Sequence, residues 1–168
     1  QLSGESCLIF KRQGDQFCIT SLFVDDALVV SSSPEMRQEF ITALGKRFPI
    51  NTTETGEASW LLGVKIDRDL VEGTITCTQT QAIIKLAEAC GATGPGSAHR
   101  VPMAQGTLPR LSAAEVDTAT CMNGKLSFRS VVGSLLFIAL CTRLDIAAAV
   151  VVIARHSETP GADHVRAL

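Results

Sequence analysis

The sequence predicts an α+β fold: an antiparallel sheet packed by one helix, then a helical region beyond a linker. Three observations predict it. In the stretch FCITSLFVDDALVVSSS, two apolar, β-branched runs (residues 16–24 and 27–32) flank a bare acidic pair, Asp25 and Asp26. Ser33–Pro34 then opens a run whose apolar residues recur at helical spacing. Past a segment rich in Gly, Pro, Ser and Thr at 92–111, strongly apolar stretches return between 128 and 156. At 168 residues the chain is long enough for one good core or two small lobes.

The sheet is expected to begin with a strand at 7–11 and a turn at 12–15 that uses Gly14. With 16–24 and 27–32 this makes a three-stranded antiparallel meander whose last turn is Asp25–Asp26. That turn chemistry is unusual. Two-residue hairpin loops favour Asn-Gly, Asp-Gly or another glycine, because their central residues need positive φ. Unpaired carboxylates amid apolar residues are also costly, and adjacent like charges repel. Either the turn is a solvated acidic tip, or it is built to hold a divalent cation such as Mg²⁺, which prefers hard oxygen ligands. Asp15 reads as turn chemistry, a full strand away from that pair.

Ser33 is expected to cap a helix reaching about Arg47, with Met36, Phe40, Ile41, Leu44 and Phe48 on its buried side. A short strand at 48–51 and a polar loop at 52–57 follow. Residues 59–67 read as a strand, 67–73 as a turn and 74–77 as a returning strand. Gly63 inside the first of these marks either a bulge or a close backbone approach. Thr78-x-x-Gln81 reads as a capping box, with Gly91 closing the helix it opens. The 92–111 segment is the main linker, and Ser112-x-x-Glu115 can cap a short helix beyond it. Residues 128–140 form an apolar helix, and Thr142 with Asp145 can cap the next, running to about His156. Thr159 and Pro160 open a last helix continuing to Leu168.

Composition narrows the function. The net charge of −2, with seven Phe, one Trp and no Tyr, argues against autonomous duplex binding. Six cysteines form no C-x-x-C pair, so they read as free thiols, mostly in apolar positions of a reducing compartment. The three histidines lack zinc-site partners at suitable spacing. The apolar runs at 131–141 and 146–154 are too short to span a bilayer, so no membrane partner is expected. The chain starts at Gln1 rather than Met and stops within an expected helix, as a piece of a longer polyprotein would.

FVDD between apolar strands resembles the aromatic-x-Asp-Asp box in the palm of reverse transcriptases. The likeness to the copia-type (Pseudoviridae) LTR-retrotransposon branch continues through TGEASWLLGVKI, TCTQTQAIIKLAEACG, FRSVVGSLLFIALCTRLDIAAAV and TPGADHVRAL, in the family's order. The resemblance implies a partial palm at 1–77, the start of the thumb at 78–91, the linker at 92–111 and a truncated helical thumb or tether at 112–168. It implies nucleotidyl transfer with Mg²⁺ (or Mn²⁺) held by Asp25 and Asp26. Phe23 and Val24 would lie beside the primer end, with Leu62–Gly63 as the primer-grip pair. The implied partners are an RNA or DNA template with a DNA primer, deoxynucleoside triphosphates, and the rest of Pol, with fingers upstream and RNase H downstream. The implied location is intracellular, in a cytoplasmic virus-like particle or the nucleus.

Three departures qualify the resemblance. Phe23 stands where many relatives have Tyr, which keeps the ring. Leu144 stands where family members usually carry Pro. The third metal-binding aspartate of the family belongs to an upstream strand that precedes Gln1, so this stretch alone is expected not to polymerise. Two other readings remain from the sequence: a non-catalytic scaffold derived from such an element, and a different Mg²⁺ enzyme with an acidic hairpin.

Overall fold

The computed structural model describes residues 5–50, 56–94, 101–103, 126–161, 164–165 and 167–168. It is α+β, with the chain divided into two compact units, Gln1–Leu62 and Gly63–Leu168. The expected strand at 48–51 does not form at 48–50, where Pro49 has no ladder hydrogen to donate; residue 51 lies outside the described residues. Most of the 92–111 linker and all of Ser112–Glu115 also lie outside them.

The first unit is a meander of β1 (Leu8–Gln13), β2 (Gln16–Phe23) and β3 (Asp26–Ser31), in the order β1-β2-β3, packed by α1 (Pro34–Gly45). Gly14 takes φ 62° between the first two strands, which is where a glycine is needed. The register places Cys18 opposite Lys11 and Ser31, and Ile19 opposite Phe10 and Val30. Residues facing one another share a side of the sheet. One side therefore carries Cys18 and Thr20, both buried, and α1 contributes the buried Met36. The other side carries Phe10, Phe17, Ile19, Phe23 and Val30, each more than one third exposed.

Helix α1 starts as its sequence dictates. The Ser33 hydroxyl accepts from Met36 N–H at 3.2 Å with Pro34 in the first turn. The Glu35 carboxyl is held below its ordinary range, first by its own backbone N–H and then by the Ser33 hydroxyl. The helix ends at Gly45 rather than Arg47, and Phe48 is exposed rather than packed. Lys11 meets Glu39 at 2.7 Å, an exposed pair between β1 and α1 worth little.

The expected strand at 59–67 is instead two pieces, β4 (Trp60–Leu61) and β5 (Val64–Asp69), with the chain turning at Leu62–Gly63 between them. In the second unit, β5 pairs antiparallel with β6 (Thr74–Thr78). Asp69 Oδ1 accepts from the backbone N–H groups of Val71 and Glu72 at 2.8 and 3.0 Å, and Gly73 takes φ 65° to close that turn.

Helix α2 (Thr80–Cys90) has Gln79 as its cap residue and no side-chain capping bond. The expected Thr78–Gln81 box is therefore absent, because Thr78 ends β6. Gly91 closes the helix in the left-handed region at φ 70°. Helix α3 (Phe128–Cys141) begins at Ser127, whose hydroxyl accepts from Ser130 N–H at 3.2 Å.

Thr142 and Asp145 do not cap the following segment, which is a 3-10 turn at Leu144–Ile146 leading into α4 (Ala147–Ala154). Asp145 instead takes a two-pronged bond from Arg143 at 2.8 and 2.7 Å. Those bonds, led by the side-chain hydrogen bond, hold the Asp145 carboxyl below the ordinary aspartate value. Phe128, Val132 and Ile153 form the core, with Leu136, Val165 and Leu168 packed on it. Thr159 forms no capping bond among the described residues; the Gly161 carbonyl accepts from His164 and Val165 N–H.

Cys7, Cys18, Cys77, Cys90 and Cys141 are free thiols. Of these five described cysteines only Cys18 is buried, while Cys7, Cys77 and Cys141 are exposed, contrary to the mostly apolar placement expected. No helix among the described residues is long and apolar enough to cross a membrane.

Candidate catalytic hairpin

The β2–β3 hairpin forms because two β-branched, apolar strands pair through six residue pairs, from Cys18 opposite Ser31 to Phe23 opposite Asp26. Its register moves the tip by one residue. The loop residues are Val24 and Asp25, not Asp25 and Asp26, and Asp26 is the first residue of β3. Val24 adopts φ 53°, in the left-handed region, and is 88% exposed. Positive φ at the first loop position alone is the type II′ pattern, which matches the twist of the flanking strands. A β-branched residue is a poor occupant of that position, so the tip carries backbone strain. Cross-strand pairing along the whole ladder outweighs it.

Phe23, Val24, Asp25 and Asp26 therefore stand together at one end of the hairpin, all exposed. Phe23 and Asp26 face one another on the side of the sheet away from Cys18 and Thr20. Neither the Asp25 nor the Asp26 carboxylate forms a hydrogen bond or ion pair with another described residue. Both carboxylates are thus available to a cation. As a donor set, two neighbouring hard-oxygen ligands open to water fit one Mg²⁺ ion, which keeps several waters of its own. They do not by themselves make a two-metal clamp. Among the described residues, no group of three or more His, Cys, Asp or Glu side chains is placed to hold a metal.

The other residues singled out in the sequence occupy the second tight turn. Leu62 ends the first unit with φ 49°, and Gly63 opens the second with φ 80°. Positive φ at both positions is the type I′ pattern, and it explains the glycine directly. A Cβ on Gly63 would lie 4.0 Å from the Phe137 ring, so the requirement is conformational rather than steric. Leu62 is 41% exposed.

Sequence reasoning missed one polar connection in the second unit. The Thr142 hydroxyl donates to Gln79 Oε1 at 2.8 Å, with Gln79 buried and its Nε2 without a partner among the described residues. A buried glutamine beside a strand end carries no local sequence signal, because its partner lies 63 residues away.

The chain is 32% identical over 169 residues, 98% of its length, to the "Retrovirus-related Pol polyprotein from transposon TNT 1-94" of Nicotiana tabacum. This chain is similar to one stretch of a retrotransposon Pol polyprotein. The likeness supports an origin in such an element, and the chain spans 12% of that relative's length. No protein-family model matches the chain, and no solved structure matches it.

Proposed function

We propose that this chain is the palm-and-thumb portion of a copia-type reverse transcriptase, an RNA-directed DNA polymerase whose acidic hairpin serves nucleotidyl transfer. The observation that supports this reading is the pair of free, adjacent carboxylates at the tip of an apolar hairpin. That hairpin lies within a chain similar to Pol over 98% of its length. Asp25 is the principal metal ligand and Asp26 the second carboxylate. Bound there, Mg²⁺ or Mn²⁺ would acidify the primer 3′-hydroxyl and balance charge on the attacking and leaving oxygens. Phe23 offers an apolar ring beside the primer end, Val24 lies at the tip next to it, and Leu62–Gly63 contact the primer backbone. Template, primer and deoxynucleoside triphosphates are the partners, and the upstream part of Pol supplies the fingers and the remaining metal ligand.

The test is primer extension on poly(rA)·oligo(dT) with Mg²⁺ or Mn²⁺. A Pol polypeptide that includes the upstream region is expected to extend the primer and to lose extension with Asp25→Asn. The 168-residue chain alone is expected not to extend. Extension unaffected by Asp25→Asn overturns the reading. A second reading, a non-catalytic scaffold derived from such an element, is favoured by the net charge of −2. Steep salt dependence of duplex binding by the chain would count against that alternative.

A further inference from the structure

A buried hydrogen-bond donor and a buried acceptor go unused around the end of α3. The donor is Gln79 Nε2: the residue is 2% exposed, and this amide nitrogen has no partner among the described residues. The acceptor is the carbonyl of Ala139, a residue that is fully enclosed. An α-helical carbonyl takes the N–H four residues ahead. Arg143 N–H instead reaches past Ala139 to the Ile138 carbonyl at 3.0 Å, where Thr142 N–H joins it at 3.0 Å. No described residue later in the chain gives Ala139 another N–H.

The Thr142 hydroxyl fixes the direction of the glutamine amide. Thr142 is the C-terminal cap residue of α3. The acceptor a helical threonine ordinarily uses, here the Ile138 carbonyl, already holds two N–H groups, so the hydroxyl hydrogen goes to Gln79 Oε1 at 2.8 Å. With Oε1 on the hydroxyl, Nε2 is turned away and keeps both its hydrogens. Turning the amide over would only strand Oε1 and the hydroxyl hydrogen instead. Nε2 and Oε1 share one carbon, so Nε2 lies within about 5 Å of Thr142 Oγ1, the span of one small molecule making two hydrogen bonds of about 2.8 Å. The Ala139 carbonyl points along the helix axis toward Thr142 and Arg143, as α-helical carbonyls do. Arg143 and Asp145, next along the chain, are exposed and satisfy each other, so nothing there calls for an ion. The group that fits is small, neutral, and both donor and acceptor.

We propose that Gln79, Ala139 and Thr142 form a binding site for one internal water molecule. The water takes a hydrogen from Gln79 Nε2 and gives its own two to the Ala139 carbonyl and to Thr142 Oγ1. Three bonds are the usual complement of a buried water. It closes the end of α3 and joins that end to the start of α2, whose cap residue is Gln79.

The experiment uses the whole 168-residue chain. A crystal structure that shows ordered solvent is expected to place one water within about 3.2 Å of Gln79 Nε2, the Ala139 carbonyl oxygen and Thr142 Oγ1. Oxygen-17 relaxation dispersion of the solvent counts long-lived internal waters in solution and ignores exchanging hydroxyl hydrogens. Thr142→Val sets a methyl group against the water and is expected to lower that count by about one. Thr142→Ser keeps the hydroxyl and is expected to retain the water. If Thr142→Val alone is too unstable to measure, Thr142→Val with Gln79→Leu removes both side-chain partners and leaves no stranded amide, and the same loss is expected. An unchanged count in the variants lacking the hydroxyl overturns the site. So does a crystal structure in which Nε2 meets a protein carbonyl directly, or no atom at all.

Discussion

Phe23 faces Asp26 across the β2–β3 ladder, and the residue between Phe23 and the acidic pair, Val24, is held at φ 53°. The pairing fixes which residues must turn, and a β-branched side chain is left where glycine is the favoured occupant. Backbone strain and the candidate site therefore coincide at one position.

That strain is measurable. Val24→Gly is expected to stabilise the hairpin by about 1 kcal/mol, the left-handed penalty less the entropy glycine loses on folding. Gly14→Ala is expected to cost about 1 kcal/mol. A Cβ at Gly14 meets nothing within 4 Å, so only the φ of 62° opposes it. Hydrogen exchange of the β2–β3 and β1–β2 ladder amides reads both, with changes of about fivefold in opposite directions.

The Gln79–Thr142 bond gives a cycle with a distinctive sign. Thr142→Val removes the donor and leaves both amide atoms of a buried glutamine unpaired, a loss of about 1–3 kcal/mol. Adding Gln79→Leu removes the stranded amide and is expected to restore most of the loss. Urea unfolding of the four forms, followed by helical circular dichroism, gives the coupling.

Arg143 sets the acidity of Asp145. The folded carboxyl lies below the ordinary aspartate value, chiefly through the Arg143 hydrogen bond, so whatever stability the pair adds is present above that value and lost as pH falls through the lowered one. Arg143→Gln is expected to return the Asp145 midpoint toward about 3.9. Carbon-13 titration of the Asp145 carboxyl checks this, with no difference between the two forms expected above pH 6.

What the sequence alone determined is local. Ser33–Pro34 set the start of α1, Gly91 set the end of α2, and Gly14 and Gly73 set their turns. Each of these rests on interactions spanning a few residues, which the chain carries wherever it goes. The alternating apolar strands on either side of FVDD likewise determined that a hairpin with an acidic end would form.

Tertiary structure decided the rest. The turn at Val24–Asp25 is a matter of register, and register is settled by the pairing of six residues on each strand together. Thr142 had two possible uses, a helix cap or a partner for Gln79, and only the packing of α3 beside α2 brought the glutamine within reach. Contacts between residues far apart in the chain have no periodicity or spacing to announce them, and burial acts only once they meet.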